Sequence, residues 1–262
     1  MSASRGGRGP RRPRGPRGRE RRGAAPEGER LVVGPRFVQE ALAGGTVHRV
    51  LVAAGQRARL STLEAAAAAA GVPLEERSPE ALDALADGVR HQGVVALGPP
   101  YPYRPLDVLL EDQAPSLVAL DEVTDPHNLG AILRSAVAFG ATGILLPRHR
   151  SARITPTVVR ASAGATERAR IAEVTNLQRT LQDLGDRGLQ IIGLAGEGDV
   201  LLEDVPAAPL GRVVVIGSEG SGLRRLVRER CELLVRIPFA GPVESLNASV
   251  AAGIALHALR TS

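Results

Sequence analysis

The chain has 262 residues, a net charge of +5 and 44% hydrophobic residues, so one or two domains with a sizeable core are expected. That core must be Leu, Val, Ile and Ala, because aromatics make up only 2% and Trp is absent. No apolar run reaches the roughly 18 residues of a membrane-crossing helix, and the single cysteine, Cys231, excludes an internal disulfide and any multi-cysteine metal site. The N-terminus carries Arg with no apolar segment behind it, so no secretory leader is read and a cytoplasmic location without membrane contact is expected.

The charge is unevenly placed. Residues 1–30 hold ten Arg and three Glu, a net +7, which leaves −2 on the other 232 residues. Residues 1–29 are Arg, Gly and Pro with almost nothing apolar; such a stretch cannot bury a core and reads as a disordered tail. A polycation of this density fits non-specific attraction to RNA or another polyanion, and the plain alternative is a solvated tail. Every basic residue is Arg; a chain wholly without Lys reads as compositional usage rather than selection for the guanidinium fork.

Structure is expected from residue 30 onward. GPRFVQEAL predicts a short helix with Pro35 in its first turn. HRVLVAA predicts a strand, ARLSTLEAAAAAAG a helix stopped by Gly71 and Pro73, Ser78-Pro79-Glu80 the start of another helix, and GVVALG at 93–98 a strand. Residues 30–98 thus form a small α/β unit. PPYPYRPLD holds four Pro and opens a linker at 99–112. From 113 to 262 the predicted order is strand SLVALDEV, helix NLGAILRSAVAFG, strand GILLP, a helix at 156–162, helix TNLQRTLQDLGDRG, strands LQIIGLAG and RVVVIGSEG, helix GLRRLVRERC, strand ELLVRIP and a final helix from about 246 to 259. Strands separated by helices argue for a mostly parallel sheet covered on both faces.

Three stretches carry candidate chemistry. In DPHNLGAILR, Asp125 and Pro126 make a turn, Asn128 sits at the mouth of a helix where it would cap free N–H groups, and Arg134 follows six residues on. GSEGSG at 217–222 is neither a dinucleotide fingerprint nor a P-loop, but it holds a single acid, Glu219, where Gly lets backbone approach a ligand. In ESLNAS, Ser245 reads as an N-cap and Asn247 as a first-turn residue. The helix behind them is apolar on most sides, which points to deep burial or a subunit interface. His91 and His127 read as ordinary histidines, and no metal-ligand spacing or Ser-His-Asp pattern occurs.

DEVTDPHNLGAILRSA, VIGSEGSGLRR and IPFAGPVESLNASVAAG, in this order, resemble the motifs of the SpoU (TrmH-like) family of RNA ribose 2′-O-methyltransferases, nearest the guanosine enzymes of large-subunit (23S) rRNA. The likeness runs through VVGPRFVQEAL, HQGVVAL and RASAGATERARIAEVTNLQRTL and leaves out the tail. It implies an α/β methyltransferase domain whose mostly parallel sheet ends in a deep trefoil knot, behind a small α/β RNA-binding domain akin to a ribosomal-protein fold. It further implies S-adenosylmethionine as cofactor, RNA as substrate, a homodimer whose sites draw on both subunits, and no metal. By position it casts Asn128, Arg134, Glu219, Ser245 and Asn247 as the catalytic cluster and Gly217, Ile237 and Leu246 as cofactor contacts.

Methyl transfer from a sulfonium needs an in-line approach of the ribose oxygen and a route for its proton. A guanidinium holds its proton too tightly for a ready base, so Arg134 is expected to stabilise a developing alkoxide or bind the adjacent phosphate. The rival readings are a tRNA or rRNA-adenosine enzyme of the same family and a non-catalytic ribosome-assembly factor.

Overall fold

Two sheets organise the chain in the computed structural model, which describes residues 29–56, 60–86, 88–242 and 245–260. The Arg-rich tail expected to be disordered lies, except for Glu29, outside the described residues. The first sheet is built from β1 (Arg30–Val33), α1 (Pro35–Ala43), β2 (Arg49–Ala53), α2 (Ser61–Ala69), β3 (Leu74–Arg77), α3 (Pro79–Ala86) and β4 (Val94–Gly98). Its strand order is β1-β4-β2-β3, with β2 and β3 parallel and the other pairs antiparallel. Successive side chains leave a strand on opposite faces. Val32, Val50, Val52, Val94 and Ala96 therefore pack against α1 and α2, while Leu31, Val33, Leu51, Val95 and Leu97 pack against α3.

The second sheet follows Pro99–Pro105. Its elements are β5 (Ser116–Leu120), α4 (Pro126–Ala138), β6 (Gly143–Pro147), α5 (Pro156–Ala161), β7 (Ile171–Val174), α6 (Leu177–Asp186), β8 (Gln190–Leu194), β9 (Val200–Leu201), β10 (Arg212–Ile216), α7 (Arg225–Arg228), β11 (Leu233–Arg236) and α8 (Ala248–Ala258). Seven strands lie in the order β7-β6-β5-β10-β8-β11-β9, and every pairing is parallel. Val118, Leu120, Ile144, Val214 and Ile216 face a layer of α4, α5 and α8, and Leu117, Leu145, Val213 and Val215 face α6 and α7. The chain steps outward from β5 to β7, returns past β5 to β8, and then inserts β10 between β5 and β8. Such a reversal of direction opens a crevice beyond the strand C-termini.

Several expected boundaries shift. GLRRLVRERC yields only the four residues of α7, and α8 begins at Ala248 rather than near 246. Leu106–Leu110, read as linker, is a 3₁₀ turn whose Leu109 is fully buried, and a Cβ on Gly143 would lie 2.3 Å from it.

A polar joint links the two sheets. Arg30 on β1 donates to Glu167 at 2.8 Å, with side chains only 5% and 8% exposed. The Thr46 hydroxyl also donates to Glu167 at 2.9 Å, the Tyr101 ring lies beneath the Arg30 guanidinium, and the Tyr101 hydroxyl donates to the Thr166 carbonyl at 2.8 Å. Burial holds that phenol well above its ordinary pKa.

Candidate functional site

The crevice is a cavity of about 660 Å³ at the C-terminal ends of β8, β10 and β11. Its walls are three loops: Leu194–Glu197 after β8, Gly217–Leu223 after β10, and Ile237, Phe239 and Ser245–Asn247 between β11 and α8. Leu194, Ile216, Val235, Ile237 and Leu246 make one side apolar, and Glu197, Glu219 and Arg228 supply the charge. The Gly-rich loop turns back on itself: Ser218 and Gly222 exchange N–H···O bonds of 3.1 Å. Gly217 permits this closure, since a Cβ there would sit 2.3 Å from the Gly222 carbonyl carbon.

Asn247 is the centre of the polar chemistry. It is the N-cap of α8, and its Oδ1 accepts from the N–H groups of Ser249 at 2.9 Å and Val250 at 3.3 Å. With the oxygen committed to donors, its NH₂ must face acceptors. It donates to Asn128 Oδ1 at 2.9 Å and to a Glu219 carboxylate oxygen. One cap thus ties the α4 motif, the Gly-rich loop and the start of α8 together. Ser245, expected as the cap, lies two residues earlier and lines the cavity. Asn128, expected to cap α4, is 7% exposed inside its first turn; the cap is Asp125, whose side chain accepts from the His127 N–H.

Gly217, Ile237 and Leu246 all border the cavity, as do Glu219, Ser245 and Asn247. Arg134 does not. It is exposed, its side chain forms no hydrogen bond among the described residues, and it is absent from the cavity wall. Six residues at 100° each place it 240° around α4 from Asn128, so helical arithmetic alone separates the two. Against Ser135 and Phe139, α8 presents Val250 and Ile254, 48% and 39% exposed, over a shallow groove that also takes in His257.

Two groups escaped the sequence reading. Asp121, at the end of β5, is fully buried and accepts from both the backbone N–H and Nε of Arg224, at 2.8 and 2.7 Å. Arg228 pairs with Glu197 at the cavity rim, and the Glu197 carboxyl is held below its usual range by its own backbone N–H first and then by Arg228. The only local signals were an acid closing an apolar strand and an Arg pair after the Gly-rich loop. Among the described residues no group of three or more His, Cys, Asp or Glu could hold a metal ion, and no helix is long and apolar enough to cross a membrane.

Residues 115–257 match the model of the SpoU rRNA Methylase family, and residues 31–104 match that of RNA 2′-O ribose methyltransferase substrate binding. A Mycolicibacterium paratuberculosis protein named as an uncharacterized tRNA/rRNA methyltransferase is 49% identical over 233 residues, 86% of this chain and 75% of its own length. Among solved structures, the SpoU methyltransferase AviRb from Streptomyces viridochromogenes in complex with AdoMet aligns with TM-score 0.73 at 27% identity, covering 89% of this chain and 90% of that one. The AdoMet-bound rRNA methyltransferase of Sinorhizobium meliloti aligns with TM-score 0.76 at 27% identity, covering 89% and 87%.

Proposed function

This chain belongs to the SpoU rRNA methylase family, and from that premise we propose that it transfers a methyl group from S-adenosylmethionine to a ribose 2′-hydroxyl of RNA, with a guanosine of 23S rRNA as the target. The observation that carries this reading is the Asn247 node, which gathers Asn128, Glu219 and the α8 N-terminus at the edge of a cavity of ligand size. The apolar wall suits an adenosine, and the carboxylates of Glu197 and Glu219 suit the ammonium and sulfonium charges of the cofactor. The Gly217–Gly222 turn, Ile237 and the Ser245–Leu246 segment border the same cavity, where their main-chain groups would serve the ligand.

When bound, the cofactor supplies an electrophilic methyl group on sulfur. The chain's task is to present the ribose oxygen in line, a positioning effect that contributes on the order of several kcal/mol. Asn128 and Asn247 fix the motif geometry, Ser245 sits on the cavity wall as a further polar contact, and Glu219 orients the loop and, through it, an arginine. In one chain Arg134 stands outside the cavity, so we assign it to the site of a second copy docked on the α8 face. There it would stabilise the developing alkoxide or hold the adjacent phosphate while the hydroxyl proton passes to solvent water. The exposed Val250 and Ile254 support that homodimer. The insertion of β10 at the sheet centre, with α8 packed back on α4, supports the trefoil knot within residues 113–262. The mixed four-stranded sheet with helices on both faces supports a ribosomal-protein-like RNA-binding domain at 30–98, joined through 99–112.

The test is methyl transfer to rRNA and tRNA transcripts, with 2′-O-methyl mapping. Arg134→Ala should abolish transfer and leave cofactor binding intact; equal loss of both would remove its catalytic role. Mixing Arg134→Ala with Glu219→Ala protomers should restore activity, because one site of each mixed dimer is then complete. No restoration would return Arg134 to the site of its own chain.

A further inference from the structure

The sheet edge that carries the cavity also carries a cluster with no part in the site above. The loops after β5 and β6 each hold a non-glycine residue in the left-handed region, Glu122 and Arg150, both at φ 57°. Such backbone is unfavourable for a residue with a Cβ and persists where surrounding contacts fix it, often at binding sites. The contacts are visible here. The Ala152 N–H and the Ser151 hydroxyl both donate to the Val123 carbonyl, locking one loop to the other.

Their side chains meet as well. Arg150 Nη1 donates to Glu122 Oε1 at 3.3 Å, and the same oxygen lies 3.7 Å from Arg224 Nε. Arg224 is itself braced from below by the fully buried Asp121. Two guanidinium groups therefore converge on one carboxylate oxygen. The site is open: the side chains of Arg150, Arg224 and Glu122 are 74%, 41% and 27% exposed. Arg224 Nη1 and Nη2, and Arg150 Nε and Nη2, have no hydrogen-bond partner among the described residues. Arg224 directly follows Leu223, which lines the cavity.

We propose that Glu122 is an internal stand-in for a backbone phosphate of the RNA substrate, held by Arg150 and Arg224 until a phosphodiester replaces it beside the reacting ribose. The inference rests on the RNA-methylation reading above. A phosphodiester shares its charge over two oxygens, which two guanidinium forks can engage at once, and neutralising it releases counterions. Glu122 engages both arginines through one oxygen only, so it preorganises them while competing weakly. The device makes an unusual prediction: removing the acid strengthens RNA binding, whereas a purely structural acid would weaken it when lost.

The experiment measures binding of the full chain, without cofactor, to a large-subunit rRNA transcript between about 50 and 200 mM salt. Glu122→Gln should tighten binding about two- to fivefold, as fits one exposed charge contact, and steepen the dependence of log K on log salt. Arg150→Ala should weaken binding and flatten that slope by about 0.7 to 0.9, the value of one phosphate contact. In the double variant the gain from Glu122→Gln should shrink, because only Arg224 is left to be freed. A folded Glu122→Gln protein that binds as wild type or worse would overturn the proposal, as would a gain that is undiminished without Arg150. If Glu122→Gln fails to fold, an unchanged salt slope in Arg150→Ala is the overturning result. Cofactor binding and methyl transfer by wild type, measured alongside, report separately on the activity reading: absent transfer with intact salt-slope differences removes that reading and leaves the phosphate exchange standing.

Discussion

Arg30 with Glu167 at the joint and Arg150 with Glu122 at the sheet edge are the same chemical pair in opposite surroundings. At the joint both side chains are under a tenth exposed, and Thr46 and Tyr101 close the remaining approaches. At the edge the arginine is 74% exposed and most of its N–H groups are uncommitted. A buried pair owes its energetic weight to lost water: the attraction is strong, and so is the cost of stranding either partner. An exposed pair gains little and loses little, and its groups stay available to a ligand. The contrast teaches that burial, not pairing, separates a charge that holds the fold from one that can serve recognition.

The largest effect should therefore come at the joint. Arg30→Ala leaves Glu167 buried with only the Thr46 hydroxyl, at an expected cost of about 3 to 5 kcal/mol. Denaturant unfolding followed by far-UV circular dichroism would measure it. A loss below about 1 kcal/mol, the range of a surface pair, would break the comparison. Cofactor binding by the folded fraction should be unchanged, since none of these residues lines the cavity.

Asn247 lies between the two cases, exposed yet fully committed to partners. Asn247→Ala removes the α8 cap, worth about 1 kcal/mol with a range of about 0.5 to 2. It also unties Glu219 from Asn128, so methyl transfer should fall by far more than the stability loss explains. Asn247→Asp keeps the cap oxygen but cannot donate to Glu219. It should recover the cap's share of the stability, less the repulsion between its carboxylate and that of Glu219, and not the activity; recovery of both would show that capping was the residue's whole contribution.

These roles were unequally legible in the sequence. The large sheet was readable because its strands are apolar runs bounded by Gly or Pro, as in GILLP and VVVIG. β1 was missed at the edge of the basic tail. β3 was missed because LEER is a polar edge strand, half exposed on one end and solvated on the other. β7 and β9 were missed because four and two residues give no period to detect. The loops at 217–222 and 245–247 announced themselves through small residues after strands. The Asp121–Arg224 brace did not, since its partners are 103 residues apart and meet only once β10 lies beside β5. The outward placement of Arg134 follows from helical phase, which a motif's order along the chain does not display.

Cys231 tests burial in a group that is neutral while it keeps its proton. Burial pushes its thiol up to about 12 from 9, with Asp121 adding to the rise. The sign follows directly: the native state keeps the proton while the unfolded chain releases it above pH 9, so this group costs stability as pH climbs from about 9 to 12 and costs nothing below. Relative to Cys231→Ala, wild type should lose about 1 kcal/mol between about pH 7.5 and pH 10, because each tenfold difference in proton affinity between the two states is worth about 1.4 kcal/mol. A constant difference across that range would mean that water reaches the thiol. Native protein should likewise resist alkylation at about pH 8, where the thiolate is scarce.

The smallest stability effect should be at the edge itself. Arg150→Ala removes one exposed pair and one left-handed arginine, with an expected change of about 0.2 to 1 kcal/mol. Alanine keeps a Cβ and with it the strain at φ 57°, whereas Arg150→Gly holds the left-handed backbone at no steric cost and should sit at or above Arg150→Ala in stability. The same denaturant experiment on Arg30→Ala and Arg150→Ala thus reads the two clusters on one scale. If Arg150→Ala destabilised as much as Arg30→Ala, the edge cluster would be part of the fold's framework, and its arginines would be too committed to trade one anion for another.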